Sequence, residues 1–314
     1  NMLCIIRNYL QRVHMKHPRM IVYLFLGLFA MSHILGLSFL VLEHTQETSL
    51  ILDTPQPVDG GWSVLYILVG VLIATVILLI LAKFNQRNLW KGWFTVATML
   101  GLLYGLQTFL PDGIALIAAV LIALARLYFT HPWVHNTTEV IMYGGIGLAL
   151  TPLFTPLTSI LLLFIMSVYD IYAVRKSKHM ITLATFTRKA ESFPGLSLNY
   201  TNVSPPKKQS LSPEEELEQG LRDLKQTKPA RKSGVLGGGD VLFPLLIANT
   251  VFLSLQQSFT VQASFMGGLG VTASAMVGLW YLFTNAEDTY YPALPYIFIP
   301  VLLYVSTLFA SLNI

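Results

Sequence analysis

Apolar residues do not alternate with polar ones along this chain; they come in long runs, separated by short polar or charged breaks. Nine such runs lie near residues 20–42, 62–82, 93–110, 113–130, 138–155, 156–174, 240–258, 261–284 and 292–312. A hydrocarbon layer about 30 Å thick needs ~20 residues of helix at 1.5 Å rise each, so each run predicts a membrane-crossing helix. The third to sixth runs are closely spaced, with Pro111-Asp112 and Thr151-Pro152 as their breaks. One long polar segment, 175–234, interrupts the series. Its first third (Lys178 to Phe186) is basic and partly apolar, and is expected to pack on the bundle or the membrane surface. The rest, with Pro205-Pro206 and Glu214-Glu215-Glu216, predicts a mobile cytoplasmic linker that buries too little surface to order itself. The chain is thus expected to divide into a six-helix part (1–174), the loop (175–234) and a three-helix part (235–314).

Composition supports this reading. Over 314 residues, 54% are hydrophobic and only 11% charged, where a soluble globule carries about 25% charged residues. A soluble domain and a disordered chain are both excluded, and the single cysteine, Cys4, excludes an intramolecular disulfide framework. The expected fold class is an all-α polytopic membrane protein with nine transmembrane helices, in contact with the lipid bilayer.

The net charge of +4 raises the question of nucleic acid, and the placement of the basic residues answers it. With nine spans, all 20 lysines and arginines fall on one side: Arg7 to Arg19, Lys83 to Lys91, Arg126, and the loop from Arg175 to Lys232. The opposite connections carry Glu43, Glu47, Asp53, Asp59 and Asp112. By the positive-inside rule the N-terminus is cytoplasmic and the C-terminus outside. No nucleic-acid motif accompanies the basic residues, so they reflect topology and contact with anionic lipid. The first run, Met20 to Leu42, is too long for a cleavable signal peptide core. Because the sequence opens on Asn1 rather than methionine, a trimmed start is expected. Asn136, Asn199 and Asn202 match the glycosylation pattern but fall on the cytoplasmic side, and are read as chance matches.

Of 16 acidic residues, 14 are assigned to loops or span ends; Asp170 and Asp240 are not. Asp170 sits about one turn, ~6 Å, inside the end of the sixth span. A carboxylate at the centre of a membrane helix costs roughly 2.5–3.5 kcal/mol, somewhat less near an end, so two of them require a reason. The sixth span runs inwards and ends just after Asp170; the seventh runs outwards from Asp240. The two carboxylates therefore share one membrane face and one shallow depth, and can meet if the helices are neighbours. Gly237, Gly238 and Gly239 precede Asp240, where they admit close approach of another backbone and a sharp helix start, and the helix dipole favours negative charge there. A close carboxylate pair shares one proton, giving an acid and a base at once. The base activates water and the acid protonates a peptide carbonyl, with neither metal nor covalent intermediate. Such a pair titrates as a unit and predicts a bell-shaped pH–rate profile.

Tyr169-Asp170 at the end of one span, Gly237-x-Gly239-Asp240 at the start of the next, and Pro292-Ala293-Leu294-Pro295 opening the last resemble the three signatures of presenilin-type intramembrane aspartyl proteases. The nine-span order and the long loop between the aspartate-bearing spans match as well, so the resemblance covers nearly the whole chain. The proline after the third motif and the orientation favour the presenilin branch over the signal peptide peptidases; the short tails and loop are similar to archaeal homologues. The resemblance implies an aspartic endopeptidase with Asp170 and Asp240 catalytic, and Tyr169, Gly237 to Gly239, Pro292, Ala293 and Leu294 shaping the substrate site. It also implies transmembrane-helix protein substrates, no cofactor and no metal. It leaves partner subunits open, since eukaryotic presenilins act within a complex, and it raises cleavage within 175–234 as an activation step. Gly238 departs from the pattern: many members carry a larger residue there, which leaves the shape of the subsite beside Asp240 open.

Two rival classes stand beside the protease. A proton-coupled transporter or ion-leak channel would also use membrane carboxylates, but predicts charged or broken spans elsewhere and inverted repeats. A non-catalytic scaffold leaves the cost of the pair unexplained. His131, His135 and Glu139 have a spacing that invites a metal site, yet Pro132 breaks the helix between the histidines and no further ligand follows. The Gly101-x-x-x-Gly105 pair and the Gly270, Ser274, Gly278 series predict close helix contacts.

Overall fold

A computed structural model describes residues 19–45, 62–129, 131–177, 179–201, 231–285 and 291–312. The apolar runs form helices close to the expected bounds: α1 (Arg19–Thr45), α2 (Trp62–Lys83), α3 (Arg87–Leu106), α4 (Asp112–Tyr128), α5 (Pro132–Leu150), α6 (Pro156–Tyr172). A short α7 (His179–Lys189) and two strands, β1 (Gly195–Thr201) and β2 (Arg231–Gly237), follow, then α8 (Gly238–Gln256), α9 (Val261–Asn285) and α10 (Leu294–Leu312). Local chemistry fixes several ends. Thr155 and Thr158 cap α6 reciprocally, with Pro156 at its first position, where a missing N–H costs nothing. Pro132 likewise opens α5, and the His131 ring accepts the Trp133 N–H at 3.4 Å. Pro132 therefore starts a helix where the sequence reading had it break one.

The fold is mostly helical rather than all-α, because β1 and β2 pair as an antiparallel ribbon, Gly195 opposite Gly237 and Leu196 opposite Leu236. The 175–234 segment is accordingly structured at both ends, while residues 202–230 lie outside the described residues. As expected for its first third, α7 packs on α2 and α3 and buries Phe186 and Thr187. Trp90 Nε1 of α3 donates to the Ser192 carbonyl at 3.0 Å and holds the turn that leads into β1.

By length and composition, six of the helices can cross a membrane: α1, α2, α6, α8, α9 and α10. Of the other three, α4 has only 17 residues, and α3 and α5 open with polar turns. α8 lies at the centre, packed by α1, α5, α6, α9 and α10. From Val241 to Phe252 every residue but Leu242 is buried, as befits a helix apolar all round. The two polar residues of that stretch are bonded to neighbouring elements: Asn249 Nδ2 donates to Thr151 Oγ1 at 2.9 Å, and Thr250 meets Ser159 at 3.0 Å. Glycines bring backbones together as predicted. A Cβ on Gly145 of α5 would lie 1.9 Å from the Gly101 carbonyl of α3, and one on Gly278 of α9 would lie 2.2 Å from the Tyr296 carbonyl of α10. Pro300, four residues after Tyr296, supplies no helical N–H to that carbonyl.

Candidate active site

Three helix ends converge at the site. Asp170 projects from the last turn of α6, just before a π-helical turn (Ala173–Ser177), a feature frequent at functional sites. It is 6% exposed, and its Oδ2 accepts the Leu294 N–H at 3.4 Å. The neighbouring Ala293 amide also lies close to this carboxylate. These are free N–H groups at the start of α10, which the helix leaves without internal partners and which favour an anion. The Pro292-Ala293-Leu294 segment thus acts on Asp170 through its backbone.

Asp240 occupies the first turn of α8, and its Oδ2 accepts the Gly237 N–H at 3.2 Å. Pro244, four residues on, has no N–H to return to the Asp240 carbonyl, so one fewer hydrogen bond ties this turn to the rest of α8. β2 runs straight into this turn, and the Gly238 N–H donates to the Pro194 carbonyl at 3.2 Å.

A cavity of about 450 Å³ opens between these ends. Asp170, Asp240, Tyr169, Gly237, Gly238, Gly239 and Leu294 line it together, with apolar side chains of α2, α3, α5 and α7 forming the other walls. Pro292 and Ala293, which precede Leu294 in the chain, are buried. Asp170 and Asp240, 70 positions apart, lie within electrostatic reach of one another. Two carboxylates in one apolar cavity cannot both ionise cheaply.

One sequence assignment needs correction. Glu139 is not at a loop or span end; it lies in the second turn of α5 and is 0% exposed. Its charge is met by Arg126 of α4 in an ion pair, and its other oxygen accepts the Tyr143 hydroxyl and the Gly195 N–H, the latter at 3.0 Å. The Arg126 guanidinium also donates to Thr98 Oγ1 at 2.8 Å and lies over the Phe94 ring, 4.5 Å from its centroid. The ring nitrogens of His135 contact Arg126 and the Gly195 carbonyl, at 3.3 and 2.8 Å. His135 and Glu139 thus serve a protein strand, and among the described residues no three His, Cys, Asp or Glu side chains converge as a metal site requires. Asn136 is buried and bonded to Ser197, which bars it from carrying a glycan. The sequence signals for this network were an acidic residue and a tyrosine four apart on one helix face, and an arginine near the end of an apolar helix.

Over residues 26–303 the sequence matches the family described as signal-peptide peptidase, presenilin aspartyl protease. Among solved structures, a presenilin family intramembrane aspartate protease is similar in two crystal forms. One gives a TM-score of 0.57 at 16% identity, covering 91% of this chain and 99% of that one. The other gives 0.52 at 18% identity, covering 90% and 97%. At these identities the likeness is one of fold. No curated protein matches the chain.

Proposed function

Because the chain belongs to the signal-peptide peptidase and presenilin family of intramembrane aspartyl proteases, we propose that Asp170 and Asp240 are its catalytic pair. The enzyme is a hydrolase and an integral, multi-pass membrane protein, and its family implies transmembrane substrates. The proton-coupled transporter or leak-channel reading has no support in the comparisons. What supports the assignment of the pair is that two carboxylates from distant helices line one largely apolar cavity within reach of each other's charge.

The chemistry follows from one proton held between two carboxylates. The ionised member takes a proton from water as the water oxygen attacks the peptide carbonyl carbon, while the protonated member gives its proton to the carbonyl oxygen. The tetrahedral diol then collapses, the C–N bond breaks, and the nitrogen leaves with a proton returned by the pair. Backbone N–H groups of Leu294 and Gly237 hold the two side chains in place. Tyr169, Gly237, Gly238, Gly239 and Leu294 form the walls that receive substrate, and Pro292 and Ala293 set the height of Leu294. A peptide bond in a helix is hydrogen-bonded and shielded, so the substrate unwinds before cleavage. The free edge of β2, which ends at Gly237, is where the extended segment pairs.

The finer topology belongs to the same proposal: nine spans, cytoplasmic N-terminus, and an active site near the cytoplasmic face of the cell membrane. The catalytic aspartates then lie in separate parts, 1–174 and 235–314, joined by 175–234. To test the pair, the purified protein is reconstituted with a single-span peptide. Asp170→Ala and Asp240→Ala are each expected to lose all detectable cleavage; an undiminished rate in either variant refutes the assignment.

A further inference from the structure

The outer edge of β1 does not face solvent. Successive residues of an antiparallel strand turn their N–H and C=O groups to alternate sides. At Gly195 and Ser197 both groups turn to α5. Glu139 Oε2 accepts the Gly195 N–H at 3.0 Å, and His135 Nε2 meets the Gly195 carbonyl at 2.8 Å. Asn136 Nδ2 donates to the Ser197 carbonyl at 2.8 Å, and its Oδ1 accepts the Ser197 N–H at 3.0 Å. Three side chains of one helix therefore satisfy four edge groups, the bonding that a neighbouring strand would supply.

The other edge of the ribbon is different. Leu196 and Leu198 are left to bond across to Leu236 and Gly234, so Val235 and Gly237 turn their polar groups away from β1. The Gly237 N–H accordingly reaches the Asp240 carboxylate. Glu139 is linked to that turn by a second route. Its oxygen accepts the Tyr143 hydroxyl, and this hydroxyl fills the place of a side chain at Gly238, where a Cβ would lie 2.4 Å from it.

We propose that His135, Asn136 and Glu139 form a false strand on α5, which seals the outer edge of β1, fixes the height of the ribbon against Asp240, and so sets which substrate bond is cut. They are positioning residues and touch no reacting atom. The proposal rests on the reading above that substrate pairs with β2. One residue of strand spans about 3.3 Å, so a ribbon that slides by one or two residues offers a neighbouring peptide bond to the carboxylates.

The test compares Arg126→Met/Glu139→Gln with Arg126→Met/Glu139→Leu, using a single-span peptide and mass spectrometry of its products. Both pairs of substitutions abolish the ion pair; only the glutamine keeps an acceptor for Gly195 and Tyr143. The glutamine form is expected to keep the wild-type bond as its major site, with kcat within about 3-fold. The leucine form is expected to lose about 10-fold or more in kcat with KM within about 2-fold, and to cut at neighbouring bonds. Asn136→Leu, which leaves Arg126 and Glu139 intact, is expected to scatter the cleavage sites in the same way, and decides the matter if the leucine double variant does not fold. An unchanged cleavage pattern in Asn136→Leu overturns the proposal, whatever the rate. Adding Asp240→Ala to each variant separates the two claims: cleavage that persists there counts against the catalytic pair, not against the positioning residues.

Discussion

Gly238 has no room for a methyl group. A Cβ there would lie 2.4 Å from the Tyr143 hydroxyl and 3.0 Å from Cζ of the same ring. A tyrosine on α5 thus lines the cavity beside Asp240 at the point where residue 238 itself has no side chain. Overpacking of this kind costs typically 1–3 kcal/mol, and here the displaced element carries Asp240, one of the two carboxylates proposed to be catalytic, so Gly238→Ala is expected to lower kcat about 10-fold or more. Adding Tyr143→Phe removes the nearest atom and is expected to restore part of the loss in the same peptide assay. No recovery at all would mean that the hydroxyl is not what excludes the side chain. At this scale Asp170 was legible because it interrupts an apolar run, and Asp240 because three glycines announce it. Glu139 was not, because Asn136-Thr137-Thr138 before it make it look like the polar end of a span, and its partner Arg126 belongs to another helix.

The helices were legible to within a few residues, since crossing a lipid layer demands a length and a composition that a single sequence displays. The larger errors are at α3 and α5, which begin at Arg87 and Pro132 instead of near 93 and 138, because their polar opening turns do not read as apolar. The ribbon was missed for a different reason. Leu196, Leu198 and Tyr200 alternate with Ser197 and Asn199, a strand signature, but Arg231 to Gly237 lacks one, and its partner lies across 29 intervening residues. Strand pairing is a tertiary fact even when one strand announces itself. Glycine has opposite effects in two helices, and this can be measured. Gly145→Ala puts a methyl group against the Gly101 carbonyl, between α3 and α5, and is expected to destabilise by about 1–3 kcal/mol. Gly92, in the interior of α3, has nothing within 4 Å of its Cβ position, so Gly92→Ala is expected to stabilise by roughly 0.5–1 kcal/mol. Thermal unfolding in detergent distinguishes them. Equal midpoints for both variants would show that the α3–α5 contact does not carry the packing assigned to it.

At the scale of the whole molecule, the three helices outside the six that qualify by length and composition surround the polar network: α3 supplies Thr98, α4 Arg126, and α5 His135, Asn136 and Glu139. A buried ion pair lowers the hydropathy of the helices that hold it while leaving them inside the bundle, where the partners satisfy each other. A count by length and composition therefore passes over such helices whether or not they cross, and the distribution of charge gives an independent route to topology. If α3, α4 and α5 all cross, the α2–α3 turn is cytoplasmic and the α3–α4 turn is outside, with every lysine and arginine on the inner side. Replacing Cys4 by serine removes the only cysteine and permits single reporters at Gln86 and Asp112, both exposed. In sealed right-side-out vesicles an impermeant maleimide is expected to label Asp112→Cys at once, and Gln86→Cys only after the vesicles are opened. Labelling of both from the same side would remove at least one span between residues 86 and 112, and with it the parity that sets Asp170 and Asp240 at one membrane face.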